Sequence, residues 1–88
     1  MIELNLILKH EKPNEKTYKQ DFPDGFVHVY LTDTPKSRRC YVELGANKEE
    51  NKYRFFNSKF FYTVEAFEIA KDWISKTLIK YEKVFMGN

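Results

Sequence analysis

Eighty-eight residues carry one cysteine, three glycines and three prolines, and no apolar run near the length of a membrane span. A lone thiol, Cys40, makes no internal disulfide, so stability has to come from packing. A reducing compartment is expected: cytoplasmic, or the host cytoplasm if the gene is phage-borne. Three isolated glycines leave no phosphate-cradling loop. No stretch approaches the ~18 apolar residues of a spanning helix, so no membrane association is expected. The opening MIELNLILKHEK lacks a basic segment followed by an apolar core and a cleavage site, so no leader is expected either. Charge of one sign is also scarce. Fifteen Lys and Arg against thirteen Asp and Glu leave +2, whereas a strongly nucleic-acid-directed domain shows a larger or clustered excess. Gly, Ala, Arg and Pro total 12 while Phe, Tyr, Met, Ile, Asn and Lys total 39. That bias suits an AT-rich genome and a small phage or mobile-element protein.

Chemistry-bearing constellations are equally thin. His10 and His28 have no Cys or carboxylate partner at metal-ligand spacing. Cys40 falls on the inward side of a strand pattern, where an inert thiol is the ordinary outcome. The carboxylates are scattered and no nucleophile stands beside a base. The expectation is a non-enzymatic protein with no catalytic residues, no metal and no cofactor.

Aromatic residues, by contrast, are plentiful, and six of the ten side chains in YRFFNSKFFY (53–62) are rings. Length allows one domain spanning 1–88 with a single modest core. Ile2, Leu4, Leu6 and Leu8 alternate with polar neighbours, which predicts a half-buried strand over about 2–9. Residues 10–25 are polar and turn-rich, and read as a long loop closed by Pro23-Asp24-Gly25. FVHVYLT predicts a strand over 26–32 with Val27, Val29 and Leu31 inward. RRCYVEL predicts one over 39–44 with Cys40, Val42 and Leu44 inward, and KYRFF one over 52–56 with Tyr53 and Phe55 inward. Short connectors between sequential strands make an antiparallel meander.

From Val64 the period changes. Phe67, Ala70, Ile74, Leu78, Tyr81 and Phe85 recur at three and four, the stripe of an amphipathic helix over about 64–85. Thr63 is the expected N-cap, Glu65 and Glu68 suit its positive end, Lys76, Lys80 and Lys83 its negative end, and Gly87 its stop. The fold class is therefore α+β: a four-stranded meander packed on one C-terminal helix, β-β-β-β-α, with Phe60 or Phe61 closing the core.

A helix covers one face of such a sheet. The other carries Phe26, His28, Tyr30, Arg39, Tyr41, Glu43, Lys52, Arg54 and Phe56. Rings interleaved with cations are what single-stranded nucleic acid needs, because bases stack on rings while cations follow phosphates. Tyr30, Tyr41 and Phe56 are the candidate stacking residues, and Arg38, Arg39, Lys52 and Arg54 the candidate phosphate contacts. Two plainer outcomes compete: cross-strand pairs stabilise a solvent-facing sheet without any ligand, or the loop 10–25 folds over it.

The stretch RRCYVEL…NKYRFFNSKFFYTVEAFEIAKDW, within residues 26–75, resembles the three-stranded sheet and Thr-x-Glu helix start of the plant ethylene-response-factor type DNA-binding domain and the arm-binding domain of phage integrases. Thr63, Glu65 and Ala70 match the helix start. The resemblance implies a DNA-facing sheet on which Tyr41, Glu43, Arg54 and Phe56 would lie. Pur-type and Whirly-type single-strand binders share the strand order with the helix last. The alternative partner is a protein, met by the helix surface (Ile69, Trp73 and Ile79) or by the same sheet face. A small inhibitor or adaptor directed at a host or defence enzyme would act in that way, and a homodimer is compatible with either reading.

Overall fold

A computed structural model describes residues 2–49 and 52–87. The chain forms five strands and two helices: β1 (Ile7–Lys12), β2 (Glu15–Phe22), β3 (Gly25–Thr34), β4 (Ser37–Glu49), β5 (Lys52–Phe61), α1 (Ala66–Lys80) and α2 (Glu82–Met86). All five strands lie in one antiparallel sheet in sequence order, β1-β2-β3-β4-β5. The α+β class and the meander expected from the sequence are there, with five strands in place of four.

The extra strand comes from the stretch read as a loop. Lys12↔Glu15, Phe22↔Gly25 and Thr34↔Ser37 close three two-residue hairpins, filled by Pro13-Asn14, Pro23-Asp24 and Pro35-Lys36. All three prolines thus occupy the first turn position. No residue in these turns has positive φ, and proline's fixed φ near −65° pre-sets that geometry. Residues 10–25 therefore widen the sheet instead of folding over it.

The first strand is displaced as well. Ladder pairing begins at Ile7, not at residue 2. Residues 2–6 still alternate, with Ile2 buried and Leu4 and Leu6 half-buried against the core, but a side chain takes the place of the ladder. Gln20 accepts a hydrogen bond from the Asn5 amide and donates one to the Glu3 carbonyl, and the Ile2 amide donates to Glu82.

The core lies between β3–β4 and α1. Val27, Val29, Cys40, Val42, Leu44 and Ala46 from the sheet meet Ala66, Ala70, Ile74 and Leu78 from α1 and Phe85 from α2, all buried. Alanine at 66 and 70 lets the first turns of the helix approach the sheet. Phe67 and Trp73 lie on its flanks, stacked on Tyr18 at 4.9 Å and edge-on to Phe61 at 5.9 Å. Each fully buried Val, Leu, Ile or Phe contributes ~1.5–3 kcal/mol relative to exposure.

Several expectations need correcting. Leu31, Phe55 and Phe67 are only partly buried. Tyr53, expected inward, is exposed, and its ring packs on Phe26 and Phe56 on the opposite face. Its register partner is Lys48, one step past the left-handed Asn47 (φ 55°), where the ladder passes from Ala46↔Phe55 to Lys48↔Tyr53. Of the pair 60 and 61, Phe61 closes the core while Phe60 is exposed.

The helix starts later than expected and breaks once. Glu65, not Thr63, occupies the cap position, and neither side chain caps it; the Thr63 contribution is its carbonyl, which accepts from the Ala66 amide. Tyr81 (φ −114°, ψ 30°) separates α1 from α2, and its ring packs on Phe55 at 4.5 Å. Beyond the break Phe85 is fully buried in the core. Gly87 ends α2 in the left-handed conformation that glycine adopts without penalty.

Candidate binding face of the sheet

Register places the open face residue by residue. Tyr30↔Tyr41, His28↔Glu43, Phe26↔Gly45 and Thr32↔Arg39 pair β3 with β4. Tyr41↔Phe60, Glu43↔Ser58 and Gly45↔Phe56 carry the same side onto β5. Thr17↔Tyr30, Lys19↔His28 and Asp21↔Phe26 carry it onto β2. No described element packs over this side.

Eight rings on this face form one connected chain. Tyr62 stacks on Phe60 (5.8 Å, 14°), Phe60 lies tilted against Tyr41 (4.4 Å, 30°) and Tyr41 stacks on Tyr30 (6.0 Å, 27°). Tyr30 meets His28 edge-on at 6.2 Å, His28 meets Phe26 at 4.5 Å, Phe26 meets Tyr53 at 5.4 Å, and Tyr53 meets Phe56 at 6.3 Å. Tyr30, Tyr53, Phe56, Phe60 and Tyr62 are exposed, Tyr62 most of all at 69%. Gly45 makes the crossing of β4 possible. A Cβ there would stand 2.6 Å from Phe26 Cε1 and 3.2 Å from Tyr53 Cδ1.

Electrostatics at the centre of the face are mixed. The His28 imidazole is held below its ordinary pKa, first by desolvation and then by the Lys19 ammonium, against the opposing pull of Glu43 and Asp21. The Tyr30 phenol is pushed up by desolvation, with Glu43 and Tyr41 adding to it; its oxygen lies 3.5 Å from His28 Nδ1. Lys19 pairs with Asp21 at 3.5 Å. Burial alone pushes the Cys40 thiol, on the helix side, up to about 11.

The seven residues singled out from the sequence divide. Tyr30, Arg39, Tyr41 and Phe56 share the open face by register. Lys52 and Arg54 are exposed and continue the even-numbered side of β5 at the opposite end from Arg39. Arg38 does not join them: it pairs with Asp33 in the register of the helix side, and its Nε lies 2.8 Å from Asp33 Oδ1. The alternative trio is dispersed. Ile69 and Ile79 are exposed, ten residues apart on the helix, while Trp73 is half-buried against Phe61 with the Lys59 ammonium 5.6 Å from its ring. Ile79 instead lines a shallow cleft with Ile2 and Leu4.

Tyr53, Phe60, Tyr62 and Lys19 belong to the face and were missed. Phe60 and Tyr62 were legible: the even positions 56, 58, 60 and 62 continue the alternation past 56, where the strand was expected to end. Tyr53 carried no such signal. Among the described residues, no three His, Cys, Asp or Glu side chains come together as a metal site, and no helix is long and apolar enough to cross a membrane. No protein-family model matches the chain, and neither a curated protein nor a solved structure matches it.

Proposed function

We propose that the protein is a non-catalytic binding module that takes single-stranded nucleic acid on the open face of its sheet. The observation that carries this reading is the uncovered chain of eight rings, with Arg39 beyond one end and Arg54 and Lys52 beyond the other. Base stacking is worth ~1–3 kcal/mol per ring, so the exposed Tyr62, Phe56 and Tyr30 supply affinity without sequence readout. Cations at both ends suit a strand running across β3, β4 and β5. The decisive experiment titrates labelled ten- to twenty-nucleotide single strands and their duplexes, in the range of about one to a few ring platforms, and follows anisotropy at low salt. Tighter binding to the single strands supports the reading. Absence of binding at low salt, where attraction between charges is least screened, overturns it.

A second reading rests on a separate observation. Glu43 sits on β4 between Tyr41 and Gly45, and Asp21 lies opposite Phe26, so acids stand among the rings. An aromatic centre with a rim of mixed charge is the anatomy of a protein interface. A protein-directed inhibitor or adaptor, phage-encoded as the composition suggests, would bind through that centre. It would leave oligonucleotides unbound.

A further inference from the structure

The two edges of the sheet are built differently. β1 is six residues long, its register shifts between Leu8 and His10, and its sequence ILKHEK is half charged. A short strand, a bulge and charges are the devices by which an edge avoids pairing with another chain. β5, at the other edge, has ten residues, KYRFFNSKFF, with no proline, no glycine and an uninterrupted pairing sum along β4 from Cys40↔Phe61 to Gly45↔Phe56. Among the described residues it pairs in the sheet only with β4, so from Phe55 to Phe61 alternate backbone amides and carbonyls face outward at the sheet edge. Its side chains are exposed from 52 to 60 except at Phe55.

We propose that β5 pairs antiparallel with β5 of a second copy of this chain, joining two five-stranded sheets into one of ten strands. Two-fold symmetry about an axis normal to the sheet requires residues of equal parity to face one another. Only some registers of that kind are favourable. Centring the axis on Lys59 sets two ammonium groups opposite each other, and centring it on Arg54 does the same with guanidinium groups; like charges directly opposite are destabilising. Centring it on Ser58 sets Phe56 against Phe60 of the second copy and Arg54 against Tyr62 on the open side. On the helix side it sets Phe55 against Phe61 and Lys59 against Asn57. Each of these pairs occurs twice, and none joins like charges. Lys59, the one charge on the helix side of this edge, is already drawn back over Phe61 (5.4 Å) and Trp73 (5.6 Å) of its own chain.

The helices leave room for this joint. Both fall on the same side, and α1 packs mainly over β4. The two β4 strands would stand three strand spacings apart, roughly 14 Å, against the ~8–10 Å that packed helices need. The join also lengthens the ring chain, because Phe60 of one copy meets Phe56 of the other. It does not depend on what the open face binds.

Sedimentation of the full chain tests the pairing. The expected species has twice the 10.6 kDa mass of one chain. Ser58→Glu, which places four carboxylates in a row with Glu43 of each copy, should weaken association at least about tenfold, equivalent to ~1.4 kcal/mol, with the far-ultraviolet dichroism of the fold kept. Ser58→Cys supplies a readout independent of that variant. Under native oxidation it should give a disulfide-linked dimer, while Thr17→Cys, on the same face but on β2, should pair without becoming cross-linked. A chain that sediments as a monomer up to about 1 mM, a dissociation constant worth only ~4 kcal/mol, overturns the proposal. So does a dimer that Ser58→Cys fails to cross-link or that Thr17→Cys links equally well.

Discussion

Gly45 lies beneath the ring of Phe26, so close that a methyl group at position 45 would stand 2.6 Å from Phe26 Cε1. Two hairpins depend on this relationship. Phe26 comes from β3, Tyr53 from β5, and the bare backbone of β4 between them lets the rings meet at 5.4 Å. A side chain on β4 would split the ring chain into two groups.

Gly45→Ala is therefore expected to swing Phe26 away from His28 and Tyr53. The ring lies on an open face and can move outward, so the cost should fall near the lower end of overpacking, about 1 kcal/mol. The clearer sign is spectroscopic: near-ultraviolet dichroism should change while far-ultraviolet dichroism does not. An unchanged near-ultraviolet spectrum would show that the crossing does not need glycine.

The helix phase gives a sharper contrast. Leu78 is 1% exposed and Ile79 63% exposed, one residue apart and of equal size. Leu78→Ala should cost ~2–5 kcal/mol through the cavity it leaves, whereas Ile79→Ala should stay within ~0.5 kcal/mol of wild type. Urea unfolding of the two variants measures both. Equal losses would mean that Ile79 is covered in solution.

That contrast is also where the sequence was most legible. A helix that buries one stripe prints a 3.6 period, and Ala70, Ile74, Leu78 and Phe85 all fell inward as the period required. β3 and β4 printed a period of two for the same reason, since α1 covers one of their faces. β2 was not legible because Tyr18 and Phe22, its only large apolar residues, are just partly buried, so EKTYKQDF prints no clear alternation; β1, exposed on both faces, was expected too early, over 2–9. Only Pro13-Asn14, a twin of Pro23-Asp24, marked the hairpin. The open face was legible where it continued an alternation, as at Tyr30 and Tyr41. It was not legible at Tyr53, which alternates with Phe55 and Phe61 in an unshifted register yet packs on Phe26 and Phe56. Nor did residue type reveal that Asp33 takes Arg38, which is a matter of hairpin register.

Cys40 gives a prediction in alkali. Its thiol is raised to about 11 from an ordinary value of 9.0 by burial. Because the folded chain holds this proton more tightly, the contribution is complete below pH 9 and is lost as pH rises toward 11. Stability of wild type minus that of Cys40→Ala should be flat below pH 9 and fall above it. Thiol reagents should modify Cys40 no faster than the chain opens. Rapid modification of the native protein at pH 8 would contradict the burial.

His28 acts in the opposite pH range. Its pKa is lowered from 6.5, chiefly by desolvation and then by Lys19. The unfolded chain then binds this proton more readily than the folded one, so the stability is whole above pH 6.5 and declines as pH falls through the lowered folded value. His28→Gln should flatten the stability profile between neutral pH and pH 5, measured by thermal melts. A profile as steep as wild type would assign the acid sensitivity to other groups.

The last prediction separates two adjacent arginines. Arg38 and Arg39 follow one another in β4, so they point to opposite sides of the sheet. Arg38 is spent on Asp33 at 2.8 Å. Arg39 shares the open face with Tyr41 and makes no ion pair among the described residues. If single-stranded nucleic acid lies across the rings, each phosphate neutralised releases condensed counterion, and affinity falls with salt by ~0.7 log units per log unit for each contact. Arg39→Ala should weaken binding and flatten the log–log slope by about 0.7, one contact's worth. Arg38→Ala should change neither, since its charge is already matched. Tyr41→Ala should weaken binding by the ~1–3 kcal/mol of a stacked base and leave the slope unchanged. Anisotropy titrations at several salt concentrations read all three. Equal slopes for Arg38→Ala and Arg39→Ala, both below wild type, would mean that net charge and not the face governs binding. A partner protein would show neither slope and would lose most on truncation of Tyr41 or Tyr30, near the centre of the ring chain.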